Sequence, residues 1–123
     1  MGTPKMSDQG PELPAVIGEI EREILRLQDE SYGAGARAIK VYMHDDVVFV
    51  VIDVELTRAE HTLIEAGRES AVREMREAFQ AAIAPTFTAI VERATGRRVA
   101  SFHSGLSMDP IYSVEVFRLA DPA

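Results

Sequence analysis

Leu13, Val16, Ile17, Ile20, Ile24 and Leu27 recur at steps of three and four, the spacing that lines one face of an α-helix. The pattern predicts a helix over residues 12–31. Pro11 and Pro14 stand at its start, where a missing N–H costs least. Glu19, Glu21, Arg22, Glu23, Arg26 and Asp29 fill the opposite face. Arg22 near Glu19 and Arg26 near Glu23 offset the repulsion between the two carboxylates. The glycines of "SYGAG", Gly33 and Gly35, end the helix with permissive backbone. The period then changes to two. Ile39, Val41 and Met43 alternate with Lys40 and Tyr42, and Val47 to Val54 is almost wholly β-branched or aromatic. Together they predict a β-hairpin turning at His44-Asp45-Asp46. The second strand is apolar on both faces up to Ile52. It is therefore a central strand, or one whose outer face is covered by something else.

Thr57 followed three residues later by Glu60 has the form of a capping box and opens the next helix. Gly67 interrupts it. A longer helix over 68–94 carries a stripe of Val72, Met75, Phe79, Ala82 or Ile83, Thr86, Ile90 and Ala94. Pro85 removes the bond to the Ala81 carbonyl and predicts a kink; Gly96 ends the helix. Two further strands, Arg98 to Gly105 and Tyr112 to Leu119, are joined across a loop marked by Asp109 and Pro110. The order α-β-β-α-β-β predicts an α+β fold, a four-stranded antiparallel sheet with helices packed on one face and the middle helix kinked or broken near Gly67 and Pro85. The expected layout is a flexible tail over 1–11, a single domain over 12–119 and a loose tail over 120–123. A helix of that length spans ~40 Å, against ~27 Å for strands of eight residues. An overhanging apolar stripe and a two-faced apolar strand both want a partner surface, so a homodimer is expected.

Composition narrows the function. The 123 residues make one domain large enough to bury a core without staples. Cysteine is absent, which removes disulfides and thiolate chemistry together and fits a reducing cytoplasm. Thirteen Lys+Arg against twenty Asp+Glu give a net charge of −7, which repels phosphate backbones and anionic lipid heads, so no nucleic acid and no direct membrane insertion are expected. The longest apolar run, Val47 to Ile52, is strand-sized, far short of a membrane span. The first residues lack the apolar core of a secretory signal, and Met6 stands where a myristoylation signal wants Ser or Thr.

"GRRVASFHSGLSMDP", residues 96–110, holds the sharpest candidate chemistry: His103 with Ser101, Ser104 and Ser107. Alternation along a strand puts His103 and Ser101 on one face and Ser104 on the other, and no nucleophile elbow surrounds either serine. A strand with a solvated or interfacial polar face accounts for them. His44, Asp45 and Asp46, or His61 with Glu60 or Glu65, lack the paired spacing of a metal site; the first reads as a turn and His61 as an exposed helix residue. "YGAGARA" follows a helix rather than a strand, so it is no dinucleotide loop. Arg58, Arg68, Arg73 and Arg76 are interleaved with Glu65, Glu69, Glu74 and Glu77, the mixed-sign face of a solvated helix. Arg76 differs: at the edge of the apolar stripe it can pair with a carboxylate or receive an anion.

"YGAG" at 32–35, Asp45-Asp46, "LTRAEHTL" at 56–63, Gly67, Arg76 with Phe79, and "TGRRVASFHS" at 95–104 carry, in their order and spacing over residues 15–119, a resemblance to the MpsC family of small bacterial proteins. The family loop usually continues Tyr-Gly-x-Gly-Pro; Ala36 stands here for the proline. The resemblance implies an accessory protein of a sodium-linked, membrane-potential-generating system tied to inorganic-carbon uptake, and it brings no catalytic residues. The expectation is a cytoplasmic, non-enzymatic protein without a cofactor, a homodimer acting by binding, with a membrane transporter subunit as a possible partner. The ligand or interface candidates are His103, Ser104, Ser101, Arg76, Tyr32 and Asp46. The alternative is a small-molecule-binding or enzymatic domain with a pocket between sheet and long helix, built on His103, Ser104 and Arg76.

Overall fold

The structure is a computed structural model and describes residues 12–32 and 36–121. Seven elements follow one another: α1 (Leu13–Tyr32), β1 (Ala38–His44), β2 (Val47–Asp53), α2 (Arg58–Glu65), α3 (Glu69–Thr95), β3 (Val99–Met108) and β4 (Ile111–Leu119). This is the expected α+β order. The tail over 1–11, the glycine turn at 33–35 and the last two residues lie outside the described residues. Ala120 is tied down: its N–H donates to the Arg98 carbonyl and its own carbonyl accepts from Arg97.

The strands form one antiparallel sheet in the order β1-β2-β4-β3. Local chemistry sets its corners. Asp45 takes the left-handed conformation that an Asp tolerates in a tight turn, φ 51°. The Thr57 hydroxyl accepts from the Glu60 N–H and the Glu60 carboxylate accepts from the Thr57 N–H, the reciprocal cap expected of that spacing. Gly67, φ 78°, separates α2 from α3 as expected, and Gly96, φ 70°, closes α3. Helix α3 continues through Pro85.

The core lies between one face of the sheet and the helices α1 and α3. Ile20, Ile24, Val48, Val50, Phe87, Val91 and Phe117 are fully buried in one cluster, each side chain worth about 1.5–3 kcal/mol of transfer free energy. Leu13, expected in the stripe of α1, is exposed, and the stripe ends instead on buried Gln28. The stripe of α3 is also rotated from the expected one. Val72, Arg76, Gln80, Ile83, Phe87, Ile90, Val91 and Ala94 face inward, while Met75 is 43% exposed. Two long polar side chains therefore replace apolar ones on the buried face.

Cross-strand partners share a face of the sheet, so the register fixes what lies opposite the helices. Tyr42, Phe49, Val116 and His103 form one transverse row; Lys40, Val51, Val114 and Gly105 form the next. Asp53 with Tyr112, and Val47 with Arg118, flank them. No described element covers this second face.

Candidate functional site

The sequence candidates separate into three places. Tyr32 and Arg76 come together, from the end of α1 and the buried face of α3. Between them stands Glu60 from the first turn of α2, which is 1% exposed. Arg76 Nε reaches Glu60 Oε2 and Arg76 Nη2 reaches Oε1, both at 2.7 Å. The Tyr32 hydroxyl donates to Oε2, and the Thr57 N–H donates to Oε1 at 2.8 Å. Both carboxylate oxygens thus accept twice. Arg76 also donates to the Glu55 carbonyl and lies 4.4 Å over the Tyr32 ring, a cation–π geometry. Phe79 packs edge-on against Tyr32 at 4.8 Å. Burial alone pushes the Glu60 carboxyl up, but the bonds from Arg76, Tyr32 and Thr57 outweigh it and bring its pKa down to about 2. Burial and the bond to Glu60 push the Tyr32 hydroxyl well above its usual range. Chemically the cluster is closed: the guanidinium spends its charge on a carboxylate at 2.7 Å. It clamps α1, α2 and α3.

Asp46 lies at the other end of the sheet. Its carboxylate pairs with Arg97 at 3.0 Å and its carbonyl accepts from the Leu119 N–H, closing the β1–β2 turn against the end of β4.

The third place is β3. Ser101 and His103 sit on the uncovered face and Ser104 on the helix side, as alternation predicts. Residues two apart on a strand lie ~7 Å from each other, and no hydrogen bond among the described residues joins His103 to either serine. Phe102, His103, Ser104, Gly105 and Leu106 form one wall of a groove of about 580 Å³; Glu77, Gln80, Ala81 and Ala84 of α3 form the other. Arg76 does not line it. Sequence reasoning missed two buried polar side chains here: Gln80, which lines the groove, and Glu115, which pairs across from Ser104 without lining it. Gln80 is 6% exposed with its Oε1 unpartnered, and Glu115, the cross-strand neighbour of Ser104, is 0% exposed with neither carboxyl oxygen bonded. Parity supplies Glu115 once the strand pairing is known: Phe117 and Leu119 face the core, so Glu115 and Ser113 on the same strand do too.

Burial raises the Glu115 pKa; the Ser104 and Ser113 hydroxyls act in the opposite direction without reaching hydrogen-bond geometry. A carboxyl whose folded pKa is raised contributes stability that is intact below the unfolded value of 4.5 and is lost as pH rises through the folded value. Glu115→Gln is therefore expected to flatten this loss and to gain on the order of 1 kcal/mol at pH 8. Urea midpoints of both proteins from pH 4.5 to 8 check this; parallel slopes refute it.

Among the described residues no three His, Asp or Glu side chains converge in metal-binding geometry, and no helix is long and apolar enough to cross a membrane. Searches of the curated proteins and of the solved structures each gave no match. The family model described as "Na+-translocating membrane potential-generating system (MpsC)" matches residues 15–121. That span holds the clamp, the sheet and the groove, and by a match over nearly its whole length the chain belongs to the MpsC family.

Proposed function

We propose that this protein is a non-enzymatic accessory subunit that dimerises through the uncovered face of its sheet and, as a dimer, binds a membrane ion or bicarbonate transport system on its cytoplasmic side. The observation that carries the reading is the make-up of that face. Phe49, Val51, Val114 and Val116 form its centre, with Tyr42, Tyr112 and Val47 beside them and Lys40, Asp53, Arg118, His44, Ser101 and His103 around them. An apolar centre inside a polar rim is the anatomy of an interface rather than of a solvated sheet, and two sheets stack face to face readily.

Charge selects the occupant. The face carries Lys40 and Arg118 against Asp53, a local balance of +1 on a chain of −7. A second copy therefore meets little repulsion across it, with Asp53 placed to pair with a cation of the other copy, although the rest of the surface is acidic. Ser101 and His103 become rim residues, and the name of the family points to a membrane-potential or sodium system as the setting.

Phe49, 37% exposed, sits at the middle of the face. Sedimentation equilibrium is expected to give a dimer for the native chain and a folded monomer for Phe49→Lys, the latter with unchanged far-UV circular dichroism. The native chain, and not the variant, should then retain an ion-translocating membrane protein from detergent-solubilised membranes of its host. A monomeric native chain, or equal retention by both proteins, overturns the reading.

A further inference from the structure

We infer that the groove between α3 and the free edge of β3 receives an extended polypeptide segment bearing a lysine or arginine, which joins the sheet as a fifth strand beside β3. The two edges of the sheet are treated differently. β1 is blunted: Glu21 of α1 reaches across, and its Oε2 accepts from the Val41 N–H at 3.3 Å. A side chain that occupies an edge N–H in this way prevents strand addition. Among the described residues β3 has no such cover between Phe102 and Leu106. Arg73 touches only the end of this stretch, donating to the Leu106 carbonyl at 3.4 Å.

Volume does not choose the ligand, because about 580 Å³ also falls in the range of small-molecule pockets. The shape of the walls does. One wall is five consecutive residues of an edge strand, ~17 Å of backbone. The other presents Ala81 and Ala84, small enough for a second backbone to approach. Groove-bound strands of this kind take their affinity from main-chain hydrogen bonds and their specificity from alternate side chains.

Acceptors predominate among the unpartnered atoms of α3 and β4 and set the chemistry of the segment; the Ser113 hydroxyl, also unpartnered, can donate as well. Gln80 Oε1 and both Glu115 carboxyl oxygens lack donors. The Ala81 carbonyl loses its helical donor because Pro85 has no N–H. Glu77 adds a carboxylate to the wall, partly engaged by Arg73 at 3.8 Å. Buried acceptors without partners are costly, and a segment that brings backbone N–H groups and one cationic side chain reaching over Ser104 supplies what they lack. The chain's charge of −7 draws the same kind of partner. Resting on the function proposed above, the segment is assigned to the membrane partner, whose cytoplasmic loops are where lysine and arginine concentrate.

The probe is a nine-residue peptide alternating valine with lysine and threonine, followed by fluorescence anisotropy and by amide hydrogen exchange of the full chain. Slowed exchange at Phe102–Leu106 is expected with this peptide, and at least about tenfold weaker binding to Ala84→Phe, which fills the groove from the helix side. Glutamate in place of lysine, or N-methylation of alternate peptide amides, should abolish the effect. Glu115→Gln should narrow the preference for lysine over glutamate while the fold persists.

Four results overturn the proposal. They are no slowing at about 1 mM peptide, equal binding of the N-methylated peptide, equal binding of the glutamate peptide, or edge protection in the free protein that disappears on dilution. The last gives the edge to a second copy. The dimer measurement stands apart: a monomer that binds the peptide refutes only the sheet-face dimer, and a dimer that ignores it refutes only the groove.

Discussion

Glu60→Ala is expected to destabilise the protein by about 3–5 kcal/mol, the cost of leaving a buried guanidinium without its partner, and to lower its Tm by roughly 10–20 °C. Arg76 is 4% exposed and, among the described residues, Glu60 is its only carboxylate partner, so the alanine leaves a charge in the interior. Arg76→Met in the native background strands the carboxylate instead and should cost a similar amount. Combining Arg76→Met with Glu60→Met removes both charges, and the double variant should lose clearly less than the sum of the two single losses. Urea unfolding of all variants closes the cycle. Additive losses would show that the pair is not coupled. Arg76→Lys is not expected to rescue, because an ammonium cannot reproduce the two parallel bonds at 2.7 Å. The same cluster predicts an acid response. The folded pKa of Glu60 is depressed from 4.5 to about 2. Its contribution is present above pH 4.5 and lost as pH falls through about 2, a loss of about 3 kcal/mol that Glu60→Ala should not show.

The clamp also marks the boundary of what the residues reveal on their own. Thr57 and Glu60 announce a capping box because that motif is local: both partners lie within one turn. The stripe Val16, Ile20, Ile24 announces the buried face of α1 for the same reason. Strand β2, apolar on both sides, announces a central strand or one with a covered outer face, and the sheet order makes it central. Arg76 and Gln80 are different. A hydrophobic pattern skips them, and the apolar Met75 one position away pulls the expected stripe of α3 out of register. What buries Arg76 is a carboxylate sixteen positions earlier on another helix, and no periodicity within α3 encodes that. Tyr32, Arg76 and Phe79 belong to one shared pattern along the chain, but only the fold shows that they touch. Strand β4 has the same difficulty in its simplest form. From Tyr112 to Val116 the residues "YSVEV" alternate, and either parity is chemically readable until the pairing Val48↔Phe117 fixes it. A slip of one residue exchanges Val114 and Val116 for Ser113 and Glu115. The observed register sends the valines to the open face and the carboxyl inside, and it creates both candidate surfaces at once.

Phe117→Ala is expected to cost about 3–5 kcal/mol, the range for removing a buried aromatic ring and leaving a cavity. The ring is fully buried in the inward row Val48–Phe117–Phe102 and lies 4.9 Å from Phe102, so its loss opens the core between the two central strands and the edge strand. Stabilities of single domains are about 5–15 kcal/mol, so the variant should remain folded only in the cold or with little denaturant to spare. Phe117→Leu fills most of the space and should cost about 1–2 kcal/mol. Urea unfolding of the pair measures the difference, and equal costs would mean that the site collapses freely around either residue. The consequence reaches beyond stability. Phe102 packs against Phe117 on one side and lines the groove on the other, so the edge strand keeps its place only while the ring beneath it does. Hydrogen exchange at Phe102–Leu106 should therefore quicken in Phe117→Ala more than at Ala38–His44, whose inward residues Ile39, Val41 and Met43 pair with β2 and none directly with Phe117. A uniform acceleration across the sheet would show that the two edges open together, and that Phe117 supports the whole fold rather than the edge that borders the groove.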